Sequence, residues 1–334
     1  MKLNLFEEKT DLEVQITKNK GEKMEETLKM KIDCHLIKET IVAHLIRKKD
    51  EDPENIWKGF RLIQSEFDSI KDFQNTNLDH FLQRLYLSIP ELEKIEISHF
   101  NENGEKITRY IDKNSNPKVL ISLSGGLDST TLLYYLINKG AKIEAISFNY
   151  GSKHNDIEIE YAKKTCEKLN INHHIIELDF INKYFKSDLL QNGGAIPEGH
   201  YQAENMKSTV VPFRNGIFLS ISAGIAESYD CEFIALASHS GDHAIYPDCR
   251  PIFTKAMFEA IKYGTEKEIY LIAPFNKITK TDIVKLGNKL NVDFSLTYSC
   301  YNGREKHCGK CGTCIERKEA FAEAKVLDPT IYEE

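Results

Sequence analysis

The sequence has no stretch resembling a membrane span. Its apolar residues come in short runs broken by charge, never in the roughly 18 to 20 consecutive apolar positions that cross a bilayer. The leading residues MKLNLFEEKTDLEV lack the apolar core and small-residue cleavage site of a secretion signal, so the expected compartment is the cytoplasm. A basic tract is also missing. With 44 Lys and Arg against 51 Asp and Glu the net charge is −7, whereas proteins that hold duplexes or whole tRNAs concentrate cations to displace phosphate counterions. The short Arg47-Lys48-Lys49 cluster reads as a solvated helix face, and a large nucleic-acid partner is disfavoured. Only 9 Pro and 18 Gly occur, with 41% hydrophobic and 28% charged residues, which excludes fibrous and disordered classes. The 8 Cys are too few for a disulfide framework in 334 residues, and four crowd between 300 and 314, a spacing that asks for a metal.

The chain is long enough for two domains, and its texture changes near residue 115. Before that point DCHLIKETIVAHLIRKK, ENIWKGFRLIQSEF and HFLQRLYLSI space apolar residues three and four apart, which predicts a small, mainly helical N-terminal domain over 1–115. The following HFNENGEKITRYIDKNSNP, with its turn at Gly104, reads as a short hairpin and a linker. From 116 to 334 strands alternate with helices: KVLISL, DSTTLLYYLINKG, KIEAISFNY, a helix from about 156 to 169, HHIIELDF, RNGIFLSISAGIAESYD, EFIALAS, a helix from 252 to 263, and TKTDIVKLGNKL. That alternation predicts an α/β domain with a doubly wound parallel sheet. The Gly- and Asn-rich stretch between 179 and 211 is too long for a plain connector and suits a substrate loop.

Two motifs carry chemistry. Ser124-Gly125-Gly126-Leu127-Asp128-Ser129-Thr130 lies between a strand and a helix, where glycines let backbone amides approach an anion and the helix amino terminus favours negative charge. The loop lacks the Gly-Lys-Ser/Thr ending of γ-phosphate enzymes, and Asp128 beside a phosphate calls for a mediating cation, Mg²⁺. Cys300, Cys308, Cys311 and Cys314 form C-x7-C-x2-C-x2-C, four thiolates suited to a closed, structural Zn²⁺ site, with an Fe–S cluster the competing reading. Cys34, Cys166 and Cys231 read as buried small residues.

The loop resembles the pyrophosphate-binding SGGxDS loop of the ATP pyrophosphatase (PP-loop) superfamily, whose members split ATP into AMP and pyrophosphate. Together with the cysteine knuckle, residues 117–325 resemble the 7-cyano-7-deazaguanine synthase family. The carrying segments are SLSGGLDSTT, Phe148-Asn149-Tyr150-Gly151 with His154, Ser208-Thr209, Val211-Pro212, Arg214-Asn215, Asp242, Tyr246-Pro247-Asp248-Cys249-Arg250-Pro251 with Phe253, Ala273-Pro274, Lys280, Thr297-Tyr298-Ser299-Cys300-Tyr301 and Arg317. The resemblance implies a Rossmann-like fold and ATP-dependent conversion of 7-carboxy-7-deazaguanine and ammonia to the nitrile that precedes queuosine. Ser124 to Thr130 would hold pyrophosphate and its magnesium, with Phe148 and Tyr150 at the nucleotide. Asp128, Arg214 and Lys280 would be catalytic. Arg214, Asn215, Asp242, Tyr246, Asp248 and Arg250 would meet the purine-like acid.

The sequence departs from that family's usual pattern at Ser152, Lys153, Phe213, His239 and Tyr298, and residues 1–115 are additional to it. These differences raise an alternative in which the same acyl adenylate passes to a protein amine, as in deazaguanine conjugation by antiviral-defence relatives, the added domain docking the partner or forming a dimer. A tRNA-thiolating enzyme shares the loop but would need a catalytic cysteine pair and a basic surface.

Overall fold

The computed structural model describes residues 11–19, 25–37, 40–45, 78–90, 92–100 and 106–333. The chain divides into two compact units, Met1–Asn116 and Pro117–Glu334.

The described part of the first unit is built on an antiparallel sheet. Strands β1 (Asp11–Asn19), β2 (Glu25–Ile37), β3 (Thr40–Leu45), β4 (Leu92–Phe100) and β5 (Lys106–Ile111) lie in the order β3-β2-β1-β4-β5, with helix α1 (Leu78–Ser88) before β4. The helix expected across DCHLIKETIVAHLIRKK is therefore corrected: β2 and β3 pair antiparallel there, Cys34 opposite Ala43 and Leu36 opposite Ile41. The physical reason is a period of two that begins upstream of that window, in Leu28, Met30, Ile32, Cys34 and Leu36, followed by the β-branched Thr40, Ile41 and Val42. The mainly helical N-terminal domain gives way to a mainly β one among the described residues. HFLQRLYLSI does form α1 and buries Leu82, Leu85, Tyr86 and Leu87, and the hairpin pairs β4 with β5. ENIWKGFRLIQSEF and the Gly104 turn lie outside the described residues.

The second unit is the α/β domain. Strands β6 (Lys118–Ser122), β7 (Lys142–Asn149), β8 (Asn172–Glu177), β9 (Phe233–Ala235) and β10 (Tyr270–Ile272) form a parallel sheet in the order β10-β9-β6-β7-β8. Val119, Leu120, Ile121, Phe233, Ile234 and Ala235 are all 0% exposed, as expected for strands covered on both faces. Around the sheet lie α2 (Leu127–Asn138), α3 (Asn155–Leu169), α4 (Asp179–Tyr184), α5 (Arg214–Ser228), α6 (Pro251–Gly264), α7 (Lys280–Lys289) and α8 (Gly312–Ala324). The chain runs outward from β6 to β7 and β8, then returns to the other side of β6 for β9 and β10. That reversal leaves a crevice at the carboxyl ends of β6 and β9, the place where open α/β sheets bind ligands. One expectation needs adjustment: Glu204–Ser228 is, by length and mean hydropathy, apolar enough to cross a membrane. It is divided into a 3₁₀ turn (Glu204–Thr209) and α5, and α5 buries Leu219, Ser222, Ala223 and Ala226 within the fold.

Candidate active site

The phosphate loop follows directly from β6. Leu123 still donates its N–H to Ile146 O, and the chain then turns into α2, whose first residue, Leu127, is anchored among Val284, Phe294 and Phe321. Gly125 has φ +84°, and a Cβ there would meet the carbonyl oxygen of Glu158 at 2.1 Å, so only glycine lets α3 pack this closely against the loop. Ser124 and Ser129 knit the turn: their hydroxyls lie 3.0 Å apart, and Gly126 N–H donates to Ser124 Oγ at 3.1 Å.

Asp128 points into the crevice. Its Oδ2 accepts from Lys280 Nζ at 2.6 Å, although the two residues stand 152 positions apart, and its buried Oδ1 has no partner among the described residues. Lys280 opens α7 and also lies 3.4 Å from Glu316 Oε2. Burial opposes its charge, but Asp128 and Glu316 outweigh that effect and hold the ammonium above the usual lysine range. Next to it Asp242 and His239 close a capping box, His239 Nε2 lying 3.4 Å from Asp242 Oδ1. Tyr201 from the long loop donates its hydroxyl to the same Oδ1 at 2.8 Å. Burial would raise the Asp242 carboxyl, yet His239, Lys280 and these hydrogen bonds lower it below the ordinary value.

An aromatic wall completes the crevice. Phe148 stacks on Phe218 at 4.2 Å, Tyr150 meets Phe218 edge-on, and Arg214 Nη1 donates to Tyr150 Oη at 3.1 Å. The resulting cavity has a volume of about 210 Å³. It brings together Ser124, Gly126, Leu127, Asp128, Ser129, Phe148, Tyr150, Arg214, Asn215, Asp242, Tyr246 and Lys280. Four expected residues stand outside that lining. Gly125 packs against α3, and the Thr130 side chain is buried in α2 with its hydroxyl unpartnered. Asp248 accepts the Asn215 N–H at 2.8 Å and so holds the start of α5, while Arg250 donates to His243 O at 3.0 Å on the exposed side.

Sequence reasoning passed over Glu158 and Glu316. Glu158 lines the cavity four residues after His154, and Glu316 reaches Lys280 from just past the last cysteine. The available signal for the first was helical spacing, i to i+4 from His154; the second had none in the sequence.

The four cysteines converge. Their sulfurs all lie within 4.8 Å of one another in the interior, and Cys308 N–H and Cys311 N–H turn toward Cys300 Sγ and Cys308 Sγ at 3.3 Å. One tetrahedral ion with metal–sulfur bonds of about 2.3 Å separates its ligands by about 3.8 Å, so the set fits a single ion. His307 is not part of it, since its Nε2 accepts the Ser299 N–H at 3.0 Å. Arg317, 0% exposed, ties α8 to Phe294 O, Thr297, Ser299 and Asp328. Cys166 and Cys231 are buried; the Cys34 side chain lies outside the described residues.

A glycine loop at the reversal of a parallel sheet, faced by a buried lysine and an aromatic wall, defines an α/β protein of the phosphate-loop class. Residues 118–325 match the family described as Queuosine biosynthesis protein QueC, and the chain belongs to that family. It is 55% identical over 215 residues to a 7-cyano-7-deazaguanine synthase of Porphyromonas gingivalis, covering 64% of this chain and 96% of the relative. A 7-cyano-7-deazaguanine synthase of Methanoregula boonei is 49% identical over 216 residues, covering 65% and 99%. Among solved structures, an NH3-dependent NAD synthetase from Campylobacter jejuni aligns with a TM-score of 0.34 at 20% identity, covering 55% of this chain and 69% of that one.

Proposed function

We propose that the second unit activates 7-carboxy-7-deazaguanine with ATP and, with ammonia, converts it to 7-cyano-7-deazaguanine, acting as an AMP- and pyrophosphate-forming C–N ligase in the cytoplasm. The observation that carries this reading is the Asp128–Lys280 pair at the mouth of the phosphate loop, facing Arg214 across one cavity. A carboxylate and an amine at neutral pH form a salt, so the acid must first gain a leaving group. In the proposed sequence a carboxylate oxygen attacks the α-phosphorus and pyrophosphate departs. Ammonia then displaces AMP to give the amide. Adenylation of the amide oxygen by a second ATP, followed by loss of AMP and protons, leaves the nitrile.

The residues supply binding and charge. Ser124, Gly126 and Ser129, at the amino terminus of α2, hold pyrophosphate. Lys280 and Arg214 stabilise the negative charge that grows on the transferring group. Phe148, Tyr150 and Phe218 stack the nucleotide, and Asn215, Asp242 and Tyr246 accept or donate hydrogen bonds to the deazaguanine. Asp248 and Arg250 act from behind the site, by placing α5 and the 243–250 turn. The unpartnered Asp128 Oδ1 fits a Mg²⁺ ligand, and Mg²⁺ would neutralise phosphate charge there. The four cysteines hold Zn²⁺ as a structural ion.

A second acceptor, a protein amine delivered through residues 1–116, has one supporting observation: the matched segment spans 96% of the relative but 64% of this chain. Purified full-length chain incubated with the acid and ATP, with and without ammonia, is analysed by mass spectrometry of small molecules and proteins. AMP that appears only with the acid supports adenylation, and nitrile formed with ammonia supports the first acceptor. A mass shift on a protein amine supports the second. Absence of acid-dependent AMP contradicts both.

A further inference from the structure

Among the carboxylates at the cavity, Glu158 is distinct. Asp128 is paired with Lys280, and Asp242 is held by His239 and Tyr201. Glu158 lines the same cavity from the first turns of α3, with 16% of its side chain exposed, and among the described residues no lysine or arginine pairs with it. His154 Nε2 lies 3.5 Å from its Oε2. Around it stand the Gly125–Gly126 backbone, the Arg214 guanidinium reaching from α5, and Tyr301, whose ring lies 5.3 Å from that of His154. It lies against the phosphate loop: a Cβ on Gly126 would lie 3.8 Å from Glu158 Oε1.

We propose that Glu158 is the proton acceptor that turns the protonated amine nucleophile into its attacking form beside the acyl adenylate. The inference rests on the adenylation reading above and holds for ammonium and for a protein amine alike. Ammonium gives one proton to the Glu158 carboxylate, which becomes a carboxylic acid. The freed nitrogen pair forms the C–N bond to the acyl carbon. The C–O bond to AMP breaks with its electron pair leaving on the phosphate, and AMP takes the second proton shed by the nitrogen. No oxidant or further co-reactant enters.

The surroundings suit that task. An ordinary carboxylate is too weak a base for ammonium, but burial pushes Glu158 up to about 8, with Arg214 the opposing influence. Burial and then Arg214 lower His154 to about 3, so the neighbouring imidazole is neutral and does not cancel the carboxylate. A base whose affinity for protons lies near the working pH is the efficient one.

The test separates the half-reactions in Glu158→Gln, which keeps the shape of the side chain. Acid-dependent ATP–pyrophosphate exchange reports adenylation and an intact fold. Amide formation from ammonium reports the proposed step, and hydroxamate formation from hydroxylamine, already unprotonated at neutral pH, bypasses it. The expected result is exchange and hydroxamate formation within about twofold of the parent and amide formation down about 100-fold. Amide formation at the parental rate overturns the proposal, as does a parallel fall in hydroxamate or in exchange, which would place Glu158 in adenylation or in the fold. Exchange absent from the parent protein overturns the adenylation reading itself, and this inference with it.

Discussion

Lys280 is a buried cation held between two carboxylates in the site. It is 13% exposed, sits between Asp128 at 2.6 Å and Glu316 at 3.4 Å, and points at the place where phosphate charge would develop. Lys280→Met should lower acid-dependent AMP release by about 100-fold, the scale of losing one preorganised charge donor. Thermal unfolding of the same variant shows whether the fold survives when Asp128 and Glu316 lose their lysine and keep His239 within 4 Å. Glu158 and His154 make a second residue-scale prediction. Glu158 rises from 4.5 to about 8 on folding, so its contribution to stability is complete below about 4.5 and is lost as pH climbs through about 8. His154 falls from 6.5 to about 3, so its contribution is complete above about 6.5 and is lost as pH falls toward 3. Between pH 6.5 and 8 the Glu158 effect acts alone within this pair. The urea midpoint should fall across that window, and Glu158→Gln should flatten the slope; an equal slope in both proteins would contradict the assignment.

The loop between β6 and α2 depends on one position, Gly125. Gly125→Ala combines a positive φ with a 2.1 Å clash against the α3 backbone, a strain of about 1 to 3 kcal/mol, and α3 must move away from the loop. The expected outcome is a lower melting temperature together with at least a tenfold loss of AMP release, checked by calorimetry and product assay. This loop was legible in the sequence because its chemistry is consecutive: glycines, serines and Asp128 occur within seven positions. The buried parallel strands β6 and β9 were legible too, since each is a continuous apolar run bounded by polar residues, whereas the three-residue β10 was passed over. Lys280 and Asp128 could be nominated separately, but their pairing depends on the crossover that brings α7 to the loop. Glu316 gave no local sign at all, because its role comes from α8 leaving the cysteine knuckle in the direction of Lys280. The first unit was misread for a simpler reason: Leu36, Ile37, Ile41 and Leu45 satisfy helical spacing as well as strand alternation, and the longer run from Leu28 decides between them.

At the scale of the whole molecule, the cysteine knuckle links the carboxyl-terminal segment to the catalytic crevice. Cys311 and Cys314 begin α8, Glu316 follows within the same turn, and Arg317 fastens that turn to residues 294–299. Stripping the metal with a strong chelator should lower the melting temperature and abolish AMP release together, with both restored by Zn²⁺; a metal-free protein that keeps its melting temperature would contradict a structural ion. Residues 1–116 form their own compact unit, outside the segment shared with the relatives. In the proposed function the cavity adenylates a deazaguanine carboxylate. The most direct measurement is AMP formed per nitrile by the purified full-length chain given 7-carboxy-7-deazaguanine, ammonia and ATP. Two successive adenylations require no AMP without the acid and two AMP for each nitrile; AMP release indifferent to the acid, or nitrile made without AMP, would contradict this chemistry.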